Sequence, residues 1–143
     1  MDAESKDDLT KDGSTRPVLF LDRAIDGHLL AKSLIEAGAT IKRHRDIFRD
    51  DEDDSVWLPE VGQNGWFVIT RDARIRYNPL EFQALKAAKV GAFVFVPKNL
   101  TGAEIASIIR QALPAIEDAA HKMNRPFIIK VYRDGTLKSL DLQ

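Results

Sequence analysis

Cysteine is absent from the chain, which excludes disulfide staples, thiolate zinc sites and cysteine nucleophiles and fits a reducing compartment. No apolar run approaches the roughly 20 residues that a membrane helix needs, and Met1 to Arg16 is too acidic and polar for a signal peptide. The expectation is a cytoplasmic protein without a membrane contact. An excess of one charge is lacking too: 21 basic and 22 acidic side chains nearly cancel over 143 residues. The surface as a whole is therefore not the basic field of a protein that grips nucleic acid by charge alone, and any polyanion contact has to be local. No glycine-rich phosphate loop or dinucleotide fingerprint is present, which counts against a nucleotide cofactor. The three histidines, His28, His44 and His121, are scattered without ligand spacing and read as surface or locally bonded residues.

What is present is a repeated grammar of apolar strand followed by acid. Trp66-Phe67-Val68-Ile69-Thr70 reads as a buried strand that delivers Arg71-Asp72 at its mouth. Val18 to Leu21 runs in the same way into Asp22-Arg23, and the acidic run Asp50 to Asp54 precedes Trp57, which reads as core. Residues 1–16 have almost nothing apolar to bury and are expected to be a mobile tail. Ile25, Leu29, Leu30, Leu34 and Ile35 recur at helical spacing up to Gly38, a permissive helix end. Ala39-Thr40-Ile41 is a short second strand, Asp46 to Asp54 a charged loop, and Ser55 to Val61 a helix ended by Gly62. Asn78-Pro79-Leu80-Glu81 and Thr101-Gly102-Ala103-Glu104 each have the residues of a capping box. A strand from Gly91 to Val96 lies between those two helices. Phe127 to Tyr132 and Leu137 to Leu142, joined across Asp134-Gly135, predict a hairpin appended to the core.

Alternating strands and helices of this length predict an α/β domain with three layers, α/β/α, and a mostly parallel sheet. Ligands of such sheets bind outside the carboxyl ends of the strands. Asp22 and Asp72 stand at two of those ends, and the loop before Trp57 brings a third acid if it folds over the same edge. Carboxylates gathered in one crevice repel one another unless protons or a cation neutralise them. Oxygen-only donors favour Mg²⁺ or Mn²⁺ over zinc. Such a site is suited to phosphodiester hydrolysis, with Arg23, Arg71, Arg74 and Arg76 beside the acids to hold phosphates. Thr70 either bonds the backbone at the strand end or orients Asp72.

Leu21-Asp22 at the first strand end, Asp54-Ser55-Val56-Trp57-Leu58-Pro59-Glu60-Val61-Gly62, Gly65-Trp66 through Arg74-Ile75, and Ala92 to Val96 followed by Asn99-Leu100-Thr101 together resemble a PIN-like domain. The likeness covers roughly Pro17 to Ile116 and is narrower toward the VapC-type toxins of toxin–antitoxin systems. The resemblance implies a PIN-like fold over 17–118 with a hairpin extension over 119–143. It also implies a Mg²⁺-dependent (or Mn²⁺-dependent) ribonuclease with RNA as substrate, held inactive by a cognate antitoxin. Asp22, Asp54 and Asp72 match the family's acids, with Asp53, Asp46 and Glu60 in reserve. The chain departs from the commoner pattern just beyond Asp72, where Arg74 and Arg76 stand in place of a fourth acid.

Each feature also has a plainer meaning. Asp22 and Asp72 are each candidates to cap the following helix or turn, and the arginines are candidates to pair with the acids rather than with phosphate. On that footing the alternative is a catalytically silent PIN-like binding module whose hairpin makes a partner or homodimer contact. A phosphate-receiver domain with Lys98 as its lysine is a third, looser fit.

Overall fold

Consecutive apolar residues in a strand turn to opposite faces of the sheet, so strands buried at every position need helices on both sides. The computed structural model describes residues 16–49, 51–72 and 74–142, with side chains for all of these except 54, 55 and 76. Apart from Arg16, the expected tail lies outside the described residues. The strands are β1 (Val18–Leu21), β2 (Thr40–Arg43), β3 (Phe67–Thr70), β4 (Gly91–Phe95), β5 (Phe127–Val131) and β6 (Leu137–Ser139). They form one sheet in the order β2-β1-β3-β4-β5-β6. The pairings from β2 to β5 are parallel and only β6 runs antiparallel, against β5. The hairpin is therefore present, and its first arm lies inside the main sheet beside β4.

The helices are α1 (His28–Glu36), α2 (His44–Ile47), α3 (Asp54–Gln63), α4 (Arg74–Tyr77), α5 (Pro79–Ala88) and α6 (Gly102–Lys122). Leu19, Leu21, Phe67, Ile69, Phe93 and Phe95 pack with α1 and α6 on one face. Phe20, Val68, Ala92 and Val94 pack on the other with Trp57, Leu58, Val61 and Leu85 from α3 and α5. The three-layer α/β/α architecture follows directly from this alternation. Because the chain leaves β1 for β2 on one side and returns to β3 on the other, the carboxyl ends of β1 and β3 flank the switch point of the sheet, where such folds open a crevice.

Several local expectations change. Asp22 to Asp26 form a turn in which the Ile25 and Asp26 amides donate to the Asp22 carbonyl at 3.0 and 2.8 Å. This delays α1 to His28 and rotates its face, so Leu29 and Ile35, expected inward, are 52% and 56% exposed. Gly38 does follow the helix with φ of 93°, a conformation that glycine adopts without a Cβ penalty. Gly62 lies within α3 instead of ending it; a Cβ there would run into the Ala88 carbonyl, so its smallness sets the approach of α3 to α5. His44 is not a surface residue. It is fully buried among Phe20, Phe48 and Trp57, and its ring nitrogens have no hydrogen-bond partner among the described residues.

Helix α5 begins with the cap residue and the proline that its sequence predicts. The Asn78 side chain accepts from the Leu80 and Glu81 amides at 2.9 and 3.4 Å, and Pro79 fills the first helical position. Asn78→Ala is expected to cost about 1 kcal/mol of stability, measured as a lower urea midpoint at constant slope. An unchanged midpoint would show that the cap is replaceable by solvent.

Candidate active site at the carboxyl ends of β1 and β3

Leu21 pairs with Ile69, so Asp22 and Thr70 come level as β1 and β3 leave the sheet. The ladder continues one bond further, with the Asp22 amide donating to the Ile69 carbonyl at 3.0 Å. Asp22 is 7% exposed. The Thr70 hydroxyl donates to Asp22 Oδ2 at 2.6 Å, and the Thr70 hydroxyl oxygen in turn accepts from the Asp72 amide at 3.0 Å. One buried hydroxyl thus ties the two strand-end acids together, orienting the carboxylate of Asp22 and the backbone of Asp72. Asp22 does not cap α1, whose N-cap is Gly27 with no side-chain bond. Behind it, Arg43 Nε donates to Asp26 Oδ1 at 2.8 Å, which clamps the turn to the end of β2.

Asp72 has a different environment. Its Oδ1 accepts from the Arg74 amide and from Arg74 Nε, both at 3.0 Å, and its Oδ2 accepts from Arg74 Nη2 at 2.8 Å. Its plainer meaning as a turn cap is therefore realised alongside any other. These bonds from the Arg74 side chain hold the Asp72 carboxyl below its ordinary range. Burial opposes them, while the Arg74 amide and the charges of Arg74 and Arg23 add to the lowering. Arg74 Nε also lies 3.8 Å from Glu81 Oε2, so this arginine is engaged with protein carboxylates rather than presented to a phosphate.

The acidic loop does fold over this edge. Glu52 and Asp53 share the wall of a pocket of about 390 Å³ with Arg23, Arg74, Asn78 and Glu81. Asp53 is the N-cap of α3 but makes no side-chain cap bond. Among the reserve acids, Asp46 is exposed on α2 and is not part of that wall. Glu60 accepts from Asn64 Nδ2 at 3.2 Å near the far end of α3. The side chains of Asp54 and Arg76 lie outside those described. Glu81 and Glu52 were not legible as site residues: the first was claimed by the capping signal after Asn78, the second by a run of acids that looks like a solvated loop.

The model of the family described as PIN like domain matches residues 17–97, from just before β1 to just past β4. The chain belongs to the PIN-like domain family. The matched span of this PIN-like domain includes Asp22, Asp54 and Asp72, and the fold is of a nuclease type; the match sets aside the phosphate-receiver alternative. No curated protein matches the chain, and no solved structure does. No helix among the described residues is long and apolar enough to cross a membrane.

The donors at the mouth suit a hard divalent cation, which takes one or two carboxylates and completes its shell with water and substrate phosphate. Among the described residues no three His, Asp or Glu side chains gather as a ready-made metal cage. Asp22 and Asp72 supply two carboxylates, and the fit requires Arg74 to leave Asp72. Arg71 is not in the wall of the pocket formed with Glu52 and Asp53 but in that of a second recess.

Proposed function

We propose that this PIN-like domain is a Mg²⁺-dependent or Mn²⁺-dependent endoribonuclease, the cytoplasmic toxin of a toxin–antitoxin pair, hydrolysing RNA phosphodiester bonds. The observation that carries the reading is the Thr70 hydroxyl shared between Asp22 and Asp72 at the switch point of the sheet. Asp22 and Asp72, with Asp54, would hold the ion, which when bound supplies an activated water and offsets charge on the transition state. The chain's own contribution is to fix the Asp22 carboxylate through Thr70 and to offer cationic Arg23 and Arg71, chain neighbours of the two acids, to backbone phosphates. Water adds across one P–O bond, its hydroxide to phosphorus and its proton to the leaving oxygen. The test is cleavage of end-labelled RNA by the intact chain with Mg²⁺ or Mn²⁺ and with a chelator. Equal digestion in all three conditions, or none in any, overturns it. A small adjacent reading frame with a DNA-binding pattern would support the toxin half of the reading.

The second reading, a silent binding module, draws on the Arg74 guanidinium that already neutralises Asp72. Arg74→Ala decides how tightly that guanidinium competes with a cation. Losing it returns the Asp72 carboxyl upward toward its ordinary value. The stability contributed by the native pair is present above the ordinary carboxylate range and lost as pH falls through the lowered value. Since an exposed pair is worth up to ~1 kcal/mol, Mn²⁺ affinity by calorimetry is expected to rise about two- to fivefold. Heat-silent titrations of both proteins would favour the binding module.

A further inference from the structure

The carboxyl ends of β3 and β4 enclose a recess of about 580 Å³ next to the paired acids, and its chemistry differs from theirs. The floor is apolar, from Val94 to Pro97, and the rim carries Arg71, Tyr77, Lys98 and Asn99. Among the described residues two cations line it and no acid does, whereas the pocket that Arg74 lines has three acids in its wall. Arg71 is the residue before Asp72, so the recess begins where the site ends. Tyr77, which closes α4, is 70% exposed. Asn99 has φ of 63° in the turn after β4, placing it beside exposed Lys98 on the rim.

An exposed ring and two cations around an apolar floor, beside the strand end that delivers Asp72, have the elements that single-stranded nucleic acid requires. A base needs a flat apolar partner, its phosphates need local positive charge, and a chain of net charge −1 can offer that charge only locally. We propose that this recess seats a nucleotide adjacent to the scissile phosphate of single-stranded RNA, with the base stacked on Tyr77 and the backbone held by Arg71 and Lys98. The proposal rests on the nuclease reading above and gives it a direction: the strand passes from the Tyr77 recess over Asp72 toward Arg23. A duplex cannot enter in this way, because its bases are already stacked on one another.

The test is fluorescence anisotropy of a labelled 12-nucleotide single-stranded RNA with the full chain in chelator, so that binding is read without cleavage. Tyr77→Ala is expected to weaken binding at least about fivefold, because a base–aromatic stack is worth ~1–3 kcal/mol. Tyr77→Phe, which keeps the ring, should stay within about twofold of the unmodified protein. Lys98→Gln should weaken binding and flatten its salt dependence by about one phosphate, and duplex RNA of the same length should compete poorly. Unchanged affinity in Tyr77→Ala, equal competition by duplex, or binding of an acidic peptide in place of RNA overturns the proposal. Tyr77-dependent binding without metal-dependent cleavage would leave the recess standing and reject hydrolysis. Cleavage with Tyr77-independent binding would do the reverse.

Discussion

Asp22→Asn is expected to lower metal-dependent RNA cleavage by about 10²- to 10³-fold, the scale on which loss of one preorganised electrostatic group slows a reaction. The substitution is nearly isosteric, and the asparagine carbonyl can still accept the bond that Thr70 now gives to Asp22 at 2.6 Å. What disappears is the negative charge at the mouth of β1. The loss should therefore appear in kcat, with the thermal midpoint changed little, since the backbone bonds of residue 22 to Ile69, Ile25 and Asp26 do not depend on its side chain. Single-turnover cleavage and a melting curve on the same preparation separate the two effects. Full activity in Asp22→Asn would remove β1 from the site.

The largest stability effect is expected at Phe20. This residue is fully buried, and its ring lies 5.4 Å from Trp57, 5.9 Å from Phe48 and 6.1 Å from both Trp66 and His44, centroid to centroid. Removing it strips the centre from an aromatic cluster that joins the sheet to α2 and α3, and large rings around it cannot collapse fully into the space. Phe20→Ala should cost ~3–5 kcal/mol, a large part of the ~5–15 kcal/mol that holds an ordinary domain folded. Leu29→Ala is the contrast: the sequence pattern placed both residues inside, yet Leu29 is half exposed and its loss should stay within about 0.5 kcal/mol. Urea unfolding of the two variants checks the difference, and a loss below about 1 kcal/mol for Phe20→Ala would mean that the cluster repacks.

That contrast shows where the sequence is a good guide and where it is not. Strands apolar at every position announced a sheet covered on both sides, and the Asn78 and Thr101 caps were written in local chemistry that tertiary contacts did not need to override. The strand-end positions of Asp22 and Asp72 followed from the same pattern. Helical periodicity from Ile25 misled because it assumed one unbroken helix, whereas the Asp22 carbonyl turns the chain first. His44 was hidden by its charged neighbours Lys42, Arg43 and Arg45, although the step from β2 into α2 carries it under Phe20 and Trp57. Arg74 looked like a phosphate ligand, and only geometry shows it folded back on an acid two residues away. The bond of Thr70 to Asp22 spans 48 residues and the approach of Glu81 to Arg74 joins two helices, and no local signal encodes either.

The outer strands of the sheet are short and carry lysine. β2 ends in Lys42 and Arg43, and β6 is three residues long with Lys138 at its centre. Arg43 is held by Asp26, so a strand added at either margin would meet chiefly Lys42 or Lys138 beside a short row of backbone groups. A lysine at each margin disfavours open-ended stacking of copies into fibres through the backbone ladder.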